Sequence, residues 1–325
     1  MTMYPLLFEP TLLEKVWGGH SIHHWKYGTE SQKPIGESWE IFSENVIRNG
    51  EYAGLTLQSL IDANPQCMIG SNESEEFSLL VKMLDAKEWL SVQVHPDDAL
   101  ALELEGESRG KTECWYILHA DEEACIQYDI KHDCTIGDYA DAIANGQPKR
   151  CLEFLSVKAG DIIYVPAGTV HAIGPGIMLY ELQQTSDTTY RLYDWDRVGL
   201  DGKPRELHIE KGLLCSKPGS GRYPYPVQEP LMIDGNCVLP LIRETYFTLD
   251  KVSLGKQPFS LAMNGKAALL TNIGKHDVYL TYDAMSITLP IATSAFLPAA
   301  LEHVSIGCEE QDQSAQVLIA AQNDI

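Results

Sequence analysis

The sequence predicts a mainly β protein of two domains, and three observations lead to this prediction. The chain has 325 residues, which is long for one hydrophobic core because single domains mostly contain ~100 to 200 residues. Short segments rich in β-branched and aromatic residues recur between turn residues, a rhythm typical of a β-sandwich or barrel. The stretch SKPGSGRYPYPVQEP at 216–230 separates the two halves, because helices and inner strands do not tolerate so much Pro and Gly.

The predicted elements follow from local pattern. Strands are predicted at 113–120, 151–157, 161–167 and 177–185 in the first half, and at 247–254, 267–273, 277–282 and 294–300 in the second. Helical spacing of apolar residues predicts helices at 55–65, 135–146 and 205–216. In the first of these, Leu55, Leu57, Leu60 and Ile61 fall on one face. We therefore expect residues 1–230 to form a β domain with helical additions, and residues 231–325 to form a smaller β domain.

Charge and cysteine content limit the partners and the compartment. The formal net charge of −22 creates a field that repels nucleic acids and acidic membranes. An anionic substrate would need a local basic patch. The N-terminus lacks the pattern of a secretory leader, no window reaches the ~18 apolar residues of a membrane span, and the eight cysteines are widely and irregularly spaced. These features predict a cytoplasmic protein with reduced thiols.

Side chains of the types that bind metal ions recur in three strand-like segments. In SVQVHPDD, Gln93 and His95 stand two residues apart, so both leave the same face of an extended strand. In GKTECW, Lys111 and Glu113 have the same spacing, and GDIIYVPAGTVHAIGPG brings His171 after a Pro-Ala-Gly turn. Two imidazoles, a carboxylate and an amide oxygen suit Zn²⁺ with an open coordination position, although Mn²⁺, Fe²⁺, Co²⁺ or Ni²⁺ would also fit.

From the residues alone, plainer explanations stay open. A strand histidine is more often a satisfied polar residue than a ligand, and Glu113 beside Lys111 can be an ordinary solvated ion pair. The spacing of Pro166 and His171 recurs at Pro298 and His303. This repeat is either a degenerate duplicate or a coincidence.

Residues 160–171 resemble the second motif of the cupins, which are jelly-roll barrels with a metal ion in the barrel mouth. The usual first cupin motif, His-x-His, is absent. The Gln-x-His of SVQVHPDD and the later GKTECW instead resemble the type I mannose-6-phosphate isomerases in their short bacterial form. Further matches follow in order over residues 1 to about 216: VWGG, GESWE, QQTSDTTYRLYDWDR and RELHIEK.

The resemblance implies a cupin-type jelly-roll barrel with a few helices packed around it in the N-terminal half. The strand-rich segment 231–325 and its echo of the Pro–His spacing predict a second cupin-type jelly-roll barrel, which lacks an intact metal site because no metal-type residues stand at matching places upstream of His303. The resemblance also implies one zinc ion per chain, held by Gln93, His95, Glu113 and His171. The implied reaction interconverts mannose 6-phosphate and fructose 6-phosphate by metal-assisted proton transfer through an enediol.

The resemblance also assigns roles in the pocket. Arg191 is the expected catalytic cation, with a structural ion pair to Asp187 or Asp194 as the alternative. Lys111 is expected near the metal, where it can orient the sugar or move a proton. The remaining candidates are the acid/base carboxylates Glu181 and Asp187, Ser91 near the phosphate, and the basic residues Arg109, Lys203 and Arg205.

Two other functions are compatible with these residues. Two histidines and a carboxylate also bind Fe²⁺ in cupin oxygenases, although an oxygenase has no use for a phosphate-binding patch. A sugar-phosphate sensor without catalysis is the second alternative, because fold does not fix function. The oligomeric state is left open.

Overall fold

The computed structural model describes residues 3–71, 77–309 and 315–323. Within these residues the strands of the first half are β1 (Leu6–Leu7), β2 (Thr11–Gly19), β3 (Ile35–Ile41), β4 (Leu79–Ala86), β5 (Val92–Val94), β6 (Glu113–Ala120), β7 (Cys125–Ile130), β8 (Leu152–Ser156), β9 (Ile162–Val165), β10 (His171–Ile173), β11 (Ile177–Gln184) and β12 (Tyr190–Tyr193).

The second half of the described chain contains β13 (Leu231–Ile233), β14 (Asn236–Arg243), β15 (Phe247–Ser253), β16 (Phe259–Ala262), β17 (Ala268–Asn272), β18 (Val278–Tyr282), β19 (Met285–Leu289), β20 (Ser294–Leu297), β21 (His303–Gly307) and β22 (Gln316–Gln322). The α-helices are α1 (Ser21–Tyr27), α2 (Leu57–Ala63), α3 (Pro65–Ile69), α4 (Asp98–Glu105), α5 (Ile136–Ala144) and α6 (Ile209–Cys215), with short 3₁₀ helices at Gly50–Tyr52 and Pro148–Cys151. The predicted mainly β fold is confirmed.

The first half forms two antiparallel sheets that pack face to face. Over the described residues, one sheet has the order β2-β3-β4-β11-β6-β9 and the other the order β12-β5-β10-β7-β8. Between them lies a core to which Leu84, Trp115 and Ile117 contribute from the first sheet, and Ile126 and Ile173 from the second. Because side chains alternate along a strand, the intervening residues of both sheets point outward.

The outward faces of this barrel are covered differently. On the five-stranded sheet, Val92 and Ala172 share a core with Tyr139 of α5 and Cys215 of α6. On the six-stranded sheet, Tyr116 and Tyr180 instead share a core with residues of the second half, such as Leu249, Val252 and Phe296. The two halves are therefore packed directly against each other.

Two predicted helices need correction at their ends. The helix expected at 55–65 is divided into α2 and α3 at Asn64, whose φ of −157° is not helical and whose side chain accepts from Cys67 N to cap α3. Leu55 precedes α2 and is 45% exposed. The helix expected from 205 begins only at Ile209, because the backbone of His208, with φ −110° and ψ 53°, is not helical; its N–H donates to the carbonyl of Arg191 at 2.7 Å. The helix expected at 135–146 is confirmed as α5, which starts at a capping box made by Thr135 and Asp138.

The second half forms a further pair of antiparallel sheets. In the described chain their orders are β1-β20-β17-β22-β15-β14-β13 and β16-β21-β18-β19. The first sheet includes β1 from the N-terminus, where Leu6 pairs with Phe296 and Leu7 with Ala295. The expected boundary at 216–230 contains no named helix or strand, yet Arg222 lies against Tyr164 in an isolated β-bridge. This connection runs along the first barrel.

The two Pro–His repeats occupy corresponding places. Pro166 follows β9 and His171 begins β10, while Pro298 follows β20 and His303 begins β21. This shared position favours a duplicated segment over a coincidence. His303 is exposed, and within the described residues it belongs to no cluster of potential metal ligands.

Candidate metal centre and active site

Strand register brings three predicted site residues side by side. Gln93 in β5 is directly opposite His171 in β10, and on its other side it is opposite Arg191 in β12. The turn before His171 is fixed by Gly168, whose N–H donates to the carbonyl of His95 at 2.9 Å. Gly168 has a φ of +96°, a conformation that other residues rarely adopt.

The facing sheet supplies the carboxylates. Glu113 is the first residue of β6, and Trp115, on the same face, is opposite Glu181 in β11. Glu181 is in turn opposite Lys82 in β4. Burial of these charged groups requires partners inside the barrel.

His95, Glu113 and His171 form a buried cluster between the two sheets. One Glu113 oxygen, Oε1, lies 3.4 Å from His171 Nε2, and the other, Oε2, lies 3.7 Å from His95 Nε2. All three side chains are at most 1% exposed. Their possible ligand atoms lie within 4.8 Å of one another, so a single cation can contact all three.

The chemistry of these side chains fits a divalent metal ion. Backbone carbonyls of Thr188 and Thr169 accept at 2.9 Å from Nδ1 of His95 and His171 respectively. This places the ring proton on Nδ1 and leaves the Nε2 lone pair for a metal. Burial lowers the pKa of His95 well below its ordinary value and that of His171 to about 4. Both imidazoles are therefore neutral near pH 7, as metal ligation requires.

The two other predicted neighbours of the metal complete this cluster. Gln93 presents its amide nitrogen 3.3 Å from His171 Nε2, while its oxygen accepts from Ser91 Oγ at 3.4 Å. Rotation of this amide by a half-turn brings the oxygen towards His171. The Lys111 ammonium lies 2.5 Å from Glu113 Oε2 and 3.2 Å from His95 Nε2. Burial acts to lower the pKa of Lys111, but Glu113 and Glu181 outweigh it and raise this pKa, so the ammonium stays charged.

A cavity of about 290 Å³ opens beside the cluster. The predicted residues that line it are Ser91, Gln93, Lys111, Glu181, Asp187, Arg191 and Arg205. Its basic side chains outnumber its acidic ones, since Lys15, Lys82, Lys111, Arg191 and Arg205 face Glu37, Glu181 and Asp187. This is the local basic patch that an anionic substrate requires. Arg109 lines neighbouring cavities instead, and Lys203 lies on an exposed loop.

Arg191 does not form the structural ion pair considered from the sequence. Asp194 accepts from Arg197 at 2.9 Å and from Arg205 Nε at 2.7 Å. Arg191 donates through Nη1 to the Glu206 carbonyl at 2.8 Å. Its buried Nε has no hydrogen-bond partner within the described parts of the chain. Burial and nearby Arg205 lower its pKa, and the guanidinium retains hydrogen-bonding capacity for a ligand.

Sequence reasoning missed Lys82, which lies at the centre of the cavity's acidic wall. Its ammonium is 3.9 Å from both Glu181 and Asp187 and 4.0 Å from Glu37, and it lies 4.5 Å from the centre of the Trp39 ring. Its side chain is 5% exposed. In the sequence, Lys82 is a lone lysine within the apolar run LLVKML. This pattern indicates a buried charge, and a buried charge needs partners, which other strands supply here.

Two carboxylates near Lys82 have opposite pKa shifts. Burial acts to raise the pKa of Glu37, but Lys82 and Lys15 outweigh it and lower this pKa. Burial and neighbouring Glu113 raise the pKa of Glu181 to about 7. Glu181 is therefore poised to gain or lose a proton near neutral pH.

A jelly-roll barrel that holds two neutral imidazoles and a carboxylate beside a basic cavity defines a cupin-type candidate metalloenzyme. The family profile described as phosphomannose isomerase type I, catalytic domain, matches residues 6–111. A mannose-6-phosphate isomerase of Streptococcus mutans is 42% identical over 256 residues, covering 76% of this chain and 78% of that protein. One from Bacillus subtilis is 40% identical over 259 residues, covering 78% and 81% respectively.

Solved structures agree with these relatives. The crystal structure of mannose 6-phosphate isomerase from Bacillus subtilis has a TM-score of 0.88 and 30% identity, covering 97% of this chain and 99% of that chain. That of the Salmonella typhimurium enzyme in its apo form has a TM-score of 0.74 at 16% identity, covering all of both chains, and shows the fold alone. The chain belongs to the type I phosphomannose isomerase family.

This membership confirms the resemblance seen in the sequence and the expected class of enzyme, an aldose–ketose isomerase. The oxygenase and the non-catalytic sensor are not favoured. Among the helices of the described residues, none is long and apolar enough to cross a membrane.

Proposed function

We propose that the protein interconverts mannose 6-phosphate and fructose 6-phosphate at the cavity beside His95, Glu113 and His171. The observation that carries the proposal is that the buried cluster of possible metal ligands lies beside a cavity with more basic than acidic side chains. Family membership supplies the substrate class, since the curated relatives are named mannose-6-phosphate isomerases.

We propose zinc as the bound metal, with Gln93 as a fourth ligand through its amide oxygen. Two neutral imidazoles, one carboxylate and one amide oxygen form a mixed nitrogen and oxygen set that suits Zn²⁺ with one position left for substrate. When bound, such an ion acts as a Lewis acid towards the substrate oxygens on C1 and C2.

Lys111 changes its role when a cation binds. Without metal, its ammonium neutralises Glu113 at 2.5 Å. With a divalent cation held beside Glu113, the Lys111 ammonium would be repelled from the carboxylate and would turn towards the cavity that it already lines. There it donates hydrogen bonds to a sugar hydroxyl and orients the open-chain substrate.

Glu181 is the proposed proton carrier between C1 and C2. Its pKa of about 7 matches an acid/base catalyst at neutral pH better than the charged Lys111 does. Asp187, whose side chain is 78% exposed, lies at the cavity rim. We assign it the binding of the substrate's outer hydroxyls.

Arg191 and Ser91 are the proposed contacts to the charged parts of the substrate. Arg191 lies one strand from Gln93, and neighbouring strands are about 4.8 Å apart. Its guanidinium is close enough to stabilise negative charge on an enediolate or to hold the phosphate. Arg205 adds positive charge on the same wall of the cavity.

The test is turnover of fructose 6-phosphate by zinc-loaded protein, followed as mannose 6-phosphate by NMR and repeated after chelation. Glu113→Ala is expected to lose both metal and turnover. Arg191→Ala is expected to keep the metal and lose most of kcat, whereas the control Lys203→Ala, on an exposed loop, retains both. Turnover that survives metal removal contradicts the mechanism, and binding without turnover favours a sensor. Metal loss in Arg191→Ala contradicts the role of Arg191.

We further propose that residues 1–230 form the catalytic unit and residues 231–325 a cupin-like unit without a metal site. The shared position of His171 and His303 supports descent of the second barrel from a copy of the first. A cytoplasmic location is proposed because all eight cysteines are free thiols, a state typical of reducing compartments.

A further inference from the structure

The indole of Trp115 contacts both carboxylates of the site. Its Nε1 lies 3.1 Å from Glu113 Oε1 and 3.0 Å from Glu181 Oε2, so one N–H is shared between two acceptors. The Trp115 and His171 rings also pack in a T-shaped arrangement, with ring centroids 5.4 Å apart. Trp115 is 0% exposed.

These contacts follow from strand geometry. Trp115 is two residues after Glu113 on β6, so both face the barrel interior, and the antiparallel register sets it opposite Glu181 on β11. A buried indole N–H requires an acceptor. Here the acceptors are the carboxylates of Glu113 and Glu181. Trp115 therefore fills the core and also contacts both carboxylates of the proposed site.

We propose that Trp115 is a positioning residue, whose N–H holds Glu113 and Glu181 in fixed orientations for metal binding and proton transfer. This inference rests on the proposed function, because it takes Glu113 as a metal ligand and Glu181 as the proton carrier.

The two oxygens of Glu113 show how the orientation is set. Oε2 accepts from the Lys111 ammonium, and Oε1 accepts from the Trp115 indole. The other near neighbour of Oε1 is His171 Nε2 at 3.4 Å, whose proton lies on the opposite ring nitrogen, because Nδ1 bonds to the Thr169 carbonyl. Without the indole N–H, neither of these neighbours donates to Oε1, and the Lys111 bond to Oε2 is left to restrain the rotation of the carboxylate.

The shared N–H also controls the spacing of the two carboxylates. When Glu181 is ionised it carries the same charge as Glu113, and both groups are buried, where repulsion is strong. A donor between them reduces that repulsion and keeps both oxygens within hydrogen-bond reach of one atom. Removal of the N–H is therefore expected to separate them and to loosen the ligand set.

The experiment removes the N–H while keeping the ring. Trp115 is replaced at this site alone by benzothienylalanine, which has sulfur in place of the indole N–H, and in a second variant by Phe. Ile117→Ala is the matched control, because Ile117 is the next inward residue of the strand and belongs to the same core. Metal-free protein is titrated with Co²⁺ alone, and its affinity and visible ligand-field spectrum are recorded.

Both Trp115 variants are expected to bind Co²⁺ at least about 10-fold more weakly than wild type, the size of effect seen for partners of metal ligands, with an altered spectrum. Ile117→Ala is expected to be less stable yet to bind Co²⁺ as wild type does. If Trp115→Phe does not fold, the benzothienylalanine variant alone tests the proposal. Wild-type affinity and spectrum in that variant, or equal weakening in Ile117→Ala, overturns the inference.

Kinetics provide a second measurement, on protein saturated with metal. The Trp115 variants are expected to lose kcat through Glu181 with little change in KM, whereas a general loosening of the barrel raises KM as well. An unchanged kcat overturns the role at Glu181. If wild-type protein binds Co²⁺ but turns over no hexose phosphate, the proposed function fails, while the binding comparison still tests Trp115.

Discussion

Replacement of Lys111 by Met tests how the site balances its charge. The ammonium lies 2.5 Å from Glu113 Oε2, and the two side chains are 5% and 1% exposed. Methionine keeps the apolar stem and removes the charge, which leaves Glu113 buried without its cation. Removing one partner of a buried ion pair costs about 3 to 5 kcal/mol, so metal-free Lys111→Met is expected to lose about that much free energy of unfolding.

The metal-saturated variant behaves differently, because the divalent ion supplies the missing positive charge. With saturating zinc, we expect the variant to lose at least about 2 kcal/mol less free energy of unfolding than it loses without metal. By thermodynamic linkage, this difference equals the increase in its metal-binding free energy over wild type. Each 1.4 kcal/mol is a factor of ten, so Lys111→Met binds zinc at least about 30-fold more tightly than wild type. Its turnover is nevertheless lost, because the sugar is no longer oriented.

The assay is urea unfolding at pH 8 with chelator and with saturating zinc, combined with zinc affinity by chelator competition. Lys217→Met is the control, since the Lys217–Asp97 pair has the same 2.5 Å separation but is 49% and 32% exposed. Exposed pairs contribute about 0 to 1 kcal/mol, and the control should lose equally little in both states. Equal destabilisation of Lys111→Met with and without zinc, or unchanged zinc affinity, refutes the charge balance proposed here.

Three further outcomes are expected. Because the folded-state pKa of Glu181, about 7, lies above its ordinary 4.5, the native carboxyl keeps a proton that the unfolded chain releases. Glu181 alone therefore contributes a loss of stability as pH rises from about 4.5 to 7, whereas His95 and His171, whose pKa values are lowered by burial, contribute a gain over much of the same range. In pH-resolved urea unfolding of metal-free protein, Glu181→Gln should gain stability with pH more steeply than wild type, and an identical pH dependence would contradict the raised pKa of Glu181. The Tyr139 hydroxyl is buried without a hydrogen-bond partner in the described structure. Tyr139→Phe should consequently raise the free energy of unfolding by about 1 kcal/mol, and a loss of that size would reveal an acceptor. Leu6 is 1% exposed and pairs with Phe296, so Leu6→Ala should cost about 2 to 5 kcal/mol. Hydrogen exchange should show the loss first in β20 and β17, and a loss confined to the first barrel would contradict this pairing.

The candidate ligands could be predicted from the sequence because the patterns that indicate them are local. Gln93 and His95 share a strand face through their i, i+2 spacing, and the Pro-Ala-Gly turn leads directly to His171. The helix at α5 was also recognisable, because its capping box lies within four residues of chain. Such features depend on backbone geometry over one or two turns, which the sequence specifies without knowledge of partners.

The remaining parts of the site depended on strand order. Lys82 and Trp115 look like members of apolar strands until the register sets them opposite Glu181. The start of α6 depended on a hydrogen bond from His208 to Arg191, and β1 crosses into the sheet of the second half. The sequence by itself therefore determined the β class, the family and the candidate ligand types. The tertiary structure decided which buried charges meet, because long-range pairing and packing set strand register.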